Sequence, residues 1–275
     1  MIKCPNSGVN LDKAIERIFG KYEKSIEIRS IMANTIVGHM LPDAVVKGGS
    51  SLKLRYGNSR TRVTMDLDMA CRNDIASFVS GLNERLSVGW NGFAGKVVER
   101  EPAKPKDVPQ EYVMHPYAVK LTYMGQSWCT VDLELGANEI GDANEADFGL
   151  AQDVAEIFQK LDFPVPDKVP LMKLEYQIAQ KIHGVTEPGS RRAHDLIDLQ
   201  LMMESTEIDF SYLNAICKRL FAYRKRHSWP ANVEKGPDWE LIYNEENSKP
   251  SVYRTVDEAI VWGNELIRKI ASSSS

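Results

Sequence analysis

Residues 44–69, AVVKGGSSLKLRYGNSRTRVTMDLDM, contain the pattern that decides the fold. The short apolar run at 44–47 meets two glycines and two serines, which favours a strand followed by a glycine turn. Residues 51–57 suit a turn or two of helix. Over 62–69 apolar and polar residues alternate, which predicts a second strand with one apolar face and one polar face.

This order of elements brings a glycine turn and a pair of carboxylates into one short stretch. Asp66 and Asp68 are spaced i, i+2, so on a strand both side chains point to the same face, where they can share a cation. The glycine pair 48–49 lets a backbone approach a ligand closely, and Ser50 or Ser51 adds a hydroxyl donor. Together these features predict a phosphate cradle beside a Mg²⁺ site.

Composition excludes several classes of protein. Among 275 residues, 43% are hydrophobic, which is normal for a chain with a real core and excludes wholesale disorder. A formal charge of −4 argues against a protein that coats nucleic acid through general positive charge. The four cysteines lie far apart without zinc-ligand spacing. With no signal-like N-terminus and no bilayer-length apolar run, we expect a cytoplasmic protein without a membrane partner.

The rest of the chain predicts an α+β protein with two halves. Helix is expected over 11–40, with Asn10 as N-cap and Gly20 dividing it, and over 74–88. Strands are expected at 93–100, 111–124 and 127–135, with a loop at 102–109 and a hairpin around 124–127. Beyond about 137 only helices are expected, at 150–161, 171–184, 192–204, 209–226 and 255–271. The predicted domains are residues 1–137, a mixed sheet with flanking helices, and residues 138–275, a helical domain that completes the active site.

The order of strand, GGS turn, helix and DxD strand resembles the nucleotidyltransferase superfamily fold of the DNA polymerase β type. That resemblance implies a third carboxylate on a later strand. The segment TVDLEL at 130–135 offers Asp132 and Glu134, again two residues apart between apolar neighbours. We favour Asp132 as the third metal ligand and keep Glu134 as the alternative.

A second group of charged residues lies in the helical half. Lys181 follows an apolar stripe on one predicted helix, and Asp195 and Asp198 share a face of the next helix. An antiparallel helix pair would set Lys181 opposite one of these aspartates. The structural alternative is a simple salt bridge, worth roughly 0–1 kcal/mol if it is exposed.

Taken together, these segments resemble the AbiEii/AbiGii toxin family of bacterial nucleotidyltransferases, which belong to toxin–antitoxin and phage-defence systems. The similarity covers most of residues 44–270. Its motifs are GGSSL at 48–52, RVTMDLD at 62–68, LEYQIAQKIHG at 174–184 with Lys181 at the motif lysine, RRAHDLIDL at 191–199, and a C-terminal pattern through Trp229, Trp239, Tyr243 and residues 255–267. His194 and Ile197 depart from the residues common in the family at those positions.

The resemblance and the chemistry together imply a set of roles. The implied metal ligands are Asp66, Asp68 and Asp132, for Mg²⁺ or Mn²⁺. The implied nucleotide-binding residues are Gly48, Gly49, Ser50, Ser51, Arg62, Thr64 and Lys181. The implied catalytic residues are Asp66, Asp68, Lys181 and Asp195, with Asp195 orienting Lys181 or accepting a proton. For Arg62 the alternative is a salt bridge to the Asp66 and Asp68 pair.

The implied reaction transfers a nucleoside monophosphate from an NTP to an acceptor hydroxyl, at a tRNA 3′ end or on a protein, and releases pyrophosphate. A cognate antitoxin is the implied protein partner. Two alternatives stay open. One is a small-molecule enzyme of the aminoglycoside type, favoured only by the acidic stretch 134–147, and the other is a non-catalytic nucleotide-binding protein. A basic segment at 218–226, interleaved with aromatic residues, is either a solvated helix end or an RNA contact.

Overall fold

The structure is a computed structural model, and it describes residues 4–101, 114–246, 253 and 255–273. The described residues form ten helices: α1 (Gly8–Phe19), α2 (Glu23–His39), α3 (Gly48–Tyr56), α4 (Ile75–Val88), α5 (Gln152–Lys160), α6 (Leu174–Thr186), α7 (His194–Ser205), α8 (Phe210–Arg224), α9 (Trp239–Glu246) and α10 (Val256–Ser272). They also form seven strands: β1 (Ala44–Val46), β2 (Leu67–Cys71), β3 (Phe93–Glu99), β4 (His115–Tyr123), β5 (Gln126–Gly136), β6 (Ala146–Gly149) and β7 (Val169–Met172). The predicted loop at 102–109 lies outside the described residues. Among the helices of the described part, none is long and apolar enough to cross a bilayer.

The strands form one mixed sheet in the order β3-β4-β5-β2-β1-β7-β6. Strand β2 runs parallel to β5, and β1 runs parallel to β7, whereas the other neighbouring pairs are antiparallel. The predicted hairpin between β4 and β5 is present, and its turn residues Met124 and Gly125 have φ of 50° and 76°. Such positive φ values are typical of a tight turn that follows the twist of its strands. The predicted α+β class is confirmed.

The alternation of β5 explains how the sheet separates its core from its polar face. Val131, Leu133 and Leu135 are buried, while Asp132 and Glu134, which point to the opposite face, are exposed. Helix α1 packs against β5, and α2 packs against both β5 and β7. Each fully buried leucine contributes roughly 1.5–3 kcal/mol. This burial fixes the face on which the acidic side chains stand.

The N-terminal helical region differs from the prediction at its start. Helix α1 begins at Gly8 because the hydroxyl of Ser7 accepts a hydrogen bond from the backbone N–H of Asn10, so Ser7 is the N-cap and Asn10 is not. The helix ends at Gly20, whose φ is 110°, so the expected division at this glycine is confirmed. Helix α2 then begins anew at Glu23.

The strand predicted over 62–69 is shorter and begins later. The ladder starts at Leu67, and residues 62–66 have no regular secondary structure. Val63 and Met65 are 44% and 43% exposed, so this part of the alternating pattern has no apolar surface to cover it. Asp68 therefore lies within β2, and Asp66 directly precedes the strand.

Only helices had been predicted for the C-terminal half, but the structure also has strands there. Strand β6 pairs with β7, and β7 joins the sheet through the pairing of Leu171 with Val46 of β1. Helix α9 was also not predicted. The five predicted helices are present within a few residues, and the capping box at Thr255 and Glu258 is confirmed.

The chain divides into two compact units. The sheet unit comprises Met1–Asn58, Val63–Asn138 and Ala143–Met172, and the helical unit comprises Ser59–Arg62, Glu139–Asp142 and Lys173–Ser275. The predicted boundary at 137/138 thus differs from the observed division, because β6 and β7 pair with the sheet and remain with it. Within the helical unit, α6 packs against α7 and α8, and α10 packs against α7, α8 and α9.

Candidate active site

The glycine turn of the sheet unit lies directly against the acidic strand. Gly48 has φ +66° at the start of α3, and a Cβ on this residue would overlap the Oδ2 atom of Asp68. The backbone N–H of Lys47 donates to the carbonyl of Asp68 at 2.8 Å. A side chain at residue 48 would therefore suffer both backbone strain and a clash. The structure thus brings the predicted glycine turn and Asp68 together.

A row of carboxylates stands on the exposed face of β2 and β5. The parallel register sets Asp68 beside Glu134. Burial, followed by the charges of Asp68 and Asp66, raises the pKa of Glu134. Asp132 is engaged differently, because Arg100 forms an ion pair with it at 2.6 Å. We call Asp66, Asp68, Asp132 and Glu134 the acidic face.

The chemistry of the acidic face fits a hard divalent cation. Mg²⁺ and Mn²⁺ prefer carboxylate oxygens, and a cation would relieve the repulsion that raises the pKa of Glu134. Across the described ranges, no three Asp, Glu, His or Cys side chains are already gathered as the ligands of one ion. The donor set is therefore suitable in kind, and binding would require a small convergence of side chains.

The serines and Thr64 have mainly internal contacts in the sheet unit. The hydroxyl of Ser50 is 4% exposed and donates to the carbonyl of Asp66 at 2.5 Å, and Ser51 is completely buried. Thr64 lies close to the turn, since a Cβ on Gly49 would be 3.1 Å from its Oγ1 atom. Ser50 therefore holds the segment that carries Asp66.

Lys181 of the helical unit lies in a buried ion cluster. Its Nζ atom donates to Asp195 Oδ1 at 2.9 Å and to Asp198 Oδ2 at 2.6 Å, so it contacts both aspartates. Lys181 is 5% exposed, Asp195 0% and Asp198 2%. The exposed salt bridge considered as an alternative is therefore not what the structure has. The ion pair is buried, and it includes both aspartates. Energetically it is a buried pair, in which removing one partner is costly.

The two aspartates remain ionised in this cluster. Burial alone would raise the pKa of Asp195, but the charges of Arg192 and Lys181 outweigh burial and hold the pKa well below its ordinary range. Burial alone would also raise the pKa of Asp198, but the charges of Lys181 and Arg62 lower this pKa. Both carboxylates are thus charged at neutral pH.

Arg62 belongs to this cluster and not to the acidic face. Its Nε atom lies 3.2 Å from both carboxylate oxygens of Asp198. The expected salt bridge to Asp66 and Asp68 is therefore replaced by one to Asp198. His194 is close as well, at 3.7 Å from Asp195, and burial lowers the pKa of His194 to about 4. His194 is accordingly neutral at pH 7.

Two carboxylates of the acidic stretch 134–147 are already engaged by other side chains. Glu139 accepts two hydrogen bonds from Arg224, at 2.9 and 2.6 Å. Asp142 accepts a hydrogen bond from Gln180 at 2.6 Å. These two side chains of the stretch are therefore partly neutralised or bound, which weakens the feature that favoured a polycationic acceptor such as an aminoglycoside.

Comparison with known proteins identifies the family. The family model described as the nucleotidyl transferase AbiEii toxin of type IV toxin–antitoxin systems matches residues 31–259. The chain belongs to this family. The AbiEii-family protein is accordingly an enzyme, a nucleotidyltransferase toxin of the type IV toxin–antitoxin class. No curated protein matches its sequence.

The AbiEii-family protein is similar in structure to solved proteins. MenT4, a nucleotidyltransferase toxin from Mycobacterium tuberculosis H37Rv, matches with a TM-score of 0.57 and 16% identity, covering 95% of this chain and 88% of that chain. A putative nucleotidyltransferase from H. pylori matches with a TM-score of 0.49 and 16% identity, covering 91% and 96%. At this identity the MenT4 likeness shows a common nucleotidyltransferase fold.

Sequence reasoning missed one residue beside the acidic face. Lys47 is half-buried and is the N-cap residue of α3. Its charge lowers the pKa of Glu134 and so partly offsets the neighbouring carboxylates, which raise that pKa. Its Nζ atom would lie 3.1 Å from a Cβ on Gly136. The sequence signal was a lysine next to the double glycine, a position from which its side chain can follow the turn.

Proposed function

We propose that this AbiEii-family protein transfers a nucleoside monophosphate from an NTP to an acceptor hydroxyl. The hydroxyl oxygen forms a bond to the α-phosphorus and its proton is released to solvent, while the bond from the α-phosphorus to the bridging oxygen of the β-phosphate breaks and pyrophosphate leaves with the electron pair. The observation that carries the proposal is the placement of Asp68 beside Glu134, next to the turn at Gly48. This arrangement combines a carboxylate pair with a glycine backbone that admits a phosphate.

The turn is assigned to the triphosphate. The first N–H groups of a helix have no partner within the helix, and the helix dipole favours an anion at this end. In α3 these groups belong to Gly48, Gly49 and Ser50, and Ser51 already donates to the carbonyl of Lys47. The side chain of Lys47 adds a positive charge at the same end. We therefore assign the backbone of 48–50 and Lys47 to the β- and γ-phosphates.

Asp66, Asp68 and Glu134 are assigned to hold Mg²⁺ or Mn²⁺. A divalent ion in such a site supplies charge stabilisation for the α-phosphate and the leaving pyrophosphate. We prefer Glu134 to Asp132 as the third ligand because Glu134 is the register neighbour of Asp68, while Arg100 already neutralises Asp132. Burial and then the charges of Asp68 and Asp66 raise the pKa of Glu134, so a divalent cation at this position would offset an unfavourable charge.

We assign Lys181 to charge neutralisation of the nucleotide and Asp195 to positioning Lys181. A general base works best when its pKa lies near the working pH. The lowered pKa of Asp195 makes it a poor proton acceptor, and its contact with Lys181 at 2.9 Å suits an orienting role. Asp198 and Arg62 complete the same ion cluster.

The test is labelling of an acceptor in cell extract. Purified protein is incubated with each of the four α-labelled NTPs, Mg²⁺, total RNA and total protein, and the products are separated on gels. We expect label from at least one NTP in RNA or protein, no label in EDTA, and none with Asp66→Asn or Asp68→Asn. Label that survives both substitutions would overturn the proposal, as would absence of label from every NTP with the cognate antitoxin removed.

A further inference from the structure

A pocket opens in the helical unit around the C-terminal end of α8. It has a volume of about 450 Å³ and is lined by Lys218, Phe221, Ala222, Lys225, His227, Ser228 and Trp229. This volume falls in the range of small-molecule sites, roughly 300–1,000 Å³. Its lining combines two lysines with three aromatic rings, and none of these residues belongs to the acidic face or to the cluster around Lys181.

Most arginines of the basic segment 218–226 are already neutralised. Arg224 forms an ion pair with Glu139 at 2.6 Å, and both side chains are largely buried. Arg226 forms an ion pair with Glu187 at 2.9 Å. These two cations therefore stabilise the helical unit and are not available to an anionic ligand.

The lysines of the segment are different. Neither Lys218 nor Lys225 forms an ion pair with any residue that the structure describes, and both are exposed. Arg219 is held by a hydrogen bond to the carbonyl of Ile140 and does not line the pocket. Thus the uncompensated lysines of the segment are the ones that face this cavity, which gives the cavity a local positive potential.

The aromatic wall of the pocket is held in place by its own contacts. The ring centroids of Phe221 and Trp229 are 5.2 Å apart, and those of Phe221 and His227 are 4.9 Å apart. Trp229 Nε1 donates to Asn214 Oδ1 at 2.9 Å, and His227 Nε2 lies 2.7 Å from Thr186 Oγ1. Fixed rings beside free cations suit a ligand that is both planar and anionic, because such rings need no further ordering when a base stacks on them.

We propose that this pocket binds a nucleotide unit, with its phosphate at Lys218 and Lys225 and its base against the ring of Trp229. The hydroxyl of Ser228 adds a polar group for the sugar or the phosphate. A free nucleotide and a nucleotide within single-stranded RNA share this chemistry. The proposal goes beyond the proposed function and holds whether or not the acidic face transfers a nucleotide.

The test measures binding without turnover. The full chain carries Asp66→Asn and Asp68→Asn and is kept in EDTA, so that metal-dependent binding at the acidic face is removed. Anisotropy is measured with two probes, fluorescently labelled AMP and a labelled short single-stranded oligoribonucleotide. The pocket variant is Lys218→Gln/Lys225→Gln. The matched control is Arg268→Gln/Lys269→Gln, which removes two exposed positive charges from α10 in the same unit.

We expect the pocket variant to weaken binding of at least one probe tenfold or more, while the control changes it less than twofold. For the oligoribonucleotide, the slope of log K against log salt should fall by about 1.4, since each phosphate contact on a single strand contributes about 0.7. Trp229→Leu should weaken binding, and Trp229→Phe, which keeps a ring, should largely preserve it. If the pocket variant loses affinity for AMP alone, the ligand is a free nucleotide. If it loses affinity for the oligoribonucleotide alone, the ligand is RNA.

The pocket assignment fails if neither probe binds the parent protein, or if the pocket variant and the control bind alike. It also fails if a phosphoserine peptide displaces both probes and binds more tightly than either. Because binding is read without NTP turnover, these outcomes are independent of the labelling test for nucleotidyl transfer.

Discussion

The Nζ atom of Lys181 lies 2.6 Å from Oδ2 of Asp198, at a site where both side chains are almost fully withdrawn from water. The same nitrogen also donates to Asp195. A lysine that is held between two ionised carboxylates has a structural role in addition to any role toward a nucleotide, and the two roles make different predictions.

Replacing Lys181 by Met should lower the free energy of unfolding by about 3 kcal/mol, because it leaves buried carboxylates with less compensation. Urea denaturation followed by circular dichroism measures this value. Lys269→Met on the exposed side of α10 is the control and should change stability by less than about 0.5 kcal/mol. If Lys181→Met unfolds like the parent and only labelling is lost, the lysine serves the substrate and not the ion cluster.

The cluster should also make stability depend on acid pH. The folded-state pKa of Asp195 lies well below its unfolded value of about 3.9, so its contribution is fully present above the unfolded value and is lost progressively as pH falls from there to the folded-state pKa. Each such carboxylate contributes a slope of up to about 1.4 kcal/mol per pH unit. Asp195→Asn should make the decline between pH 5 and pH 3 shallower, as measured by urea denaturation at each pH. An unchanged slope would mean that Asp195 titrates alike in the folded and unfolded states.

Substituting Glu134 by Gln should separate stability from activity. The pKa of Glu134 is raised in the folded state, so its charge is a burden that grows as pH rises through that pKa, and its removal should leave the metal-free protein at least as stable at pH 7. Labelling should fall by at least about 10- to 100-fold, which is the loss typical of removing even an outer-shell partner of a metal. Thermal unfolding and the labelling assay measure the two effects.

Asp132→Asn is the matched comparison for that experiment, because Asp132 lies on the same strand face and is paired with Arg100. It should retain most of the labelling activity. If Asp132→Asn abolishes labelling and Glu134→Gln does not, then Asp132 is the third ligand.

Gly48→Ala should damage the turn more than its backbone conformation alone predicts. A left-handed conformation costs an alanine about 1–2 kcal/mol, and here the methyl group would also overlap Asp68. Gly125→Ala is the control, because Gly125 has φ +76° and no atom within 4 Å of the added Cβ. We expect both variants to lose stability in urea and only Gly48→Ala to lose labelling. Equal losses of labelling in the two variants would show that displacement of Asp68 has no consequence for activity.

The features that the sequence predicted well depend on near neighbours along the chain. The turn at Gly48 and the alternation of β5 are local patterns, since two glycines set a turn and a period of two sets a strand. The capping box at Thr255 is equally local. Such features form wherever the surrounding fold permits them, so they can be read without knowing the partner strands.

The features that the sequence did not predict depend on distant pairing. Strand β7 joins the sheet through Leu171 and Val46, residues far apart in the sequence, and its apolar run gave no periodicity to distinguish strand from helix. Our proposed preference for Glu134 over Asp132 likewise rests on the register of β5 with β2, which the sequence alone did not give. Arg62 was predicted to share a strand face with Asp66, but residues 62–66 have no regular secondary structure and Arg62 pairs with Asp198.

The interleaving of the two units along the chain limits how the protein can be dissected. Arg62, which contacts Asp198, and Glu139, which contacts Arg224, both come from short segments that precede Lys173 in the chain. A fragment that starts at Lys173 would contain five helices but would lack both counter-ions. No single cut in the polypeptide therefore yields an intact helical unit. A variant with either half deleted would lose activity because it misfolds, and the loss would not identify the function of the deleted half.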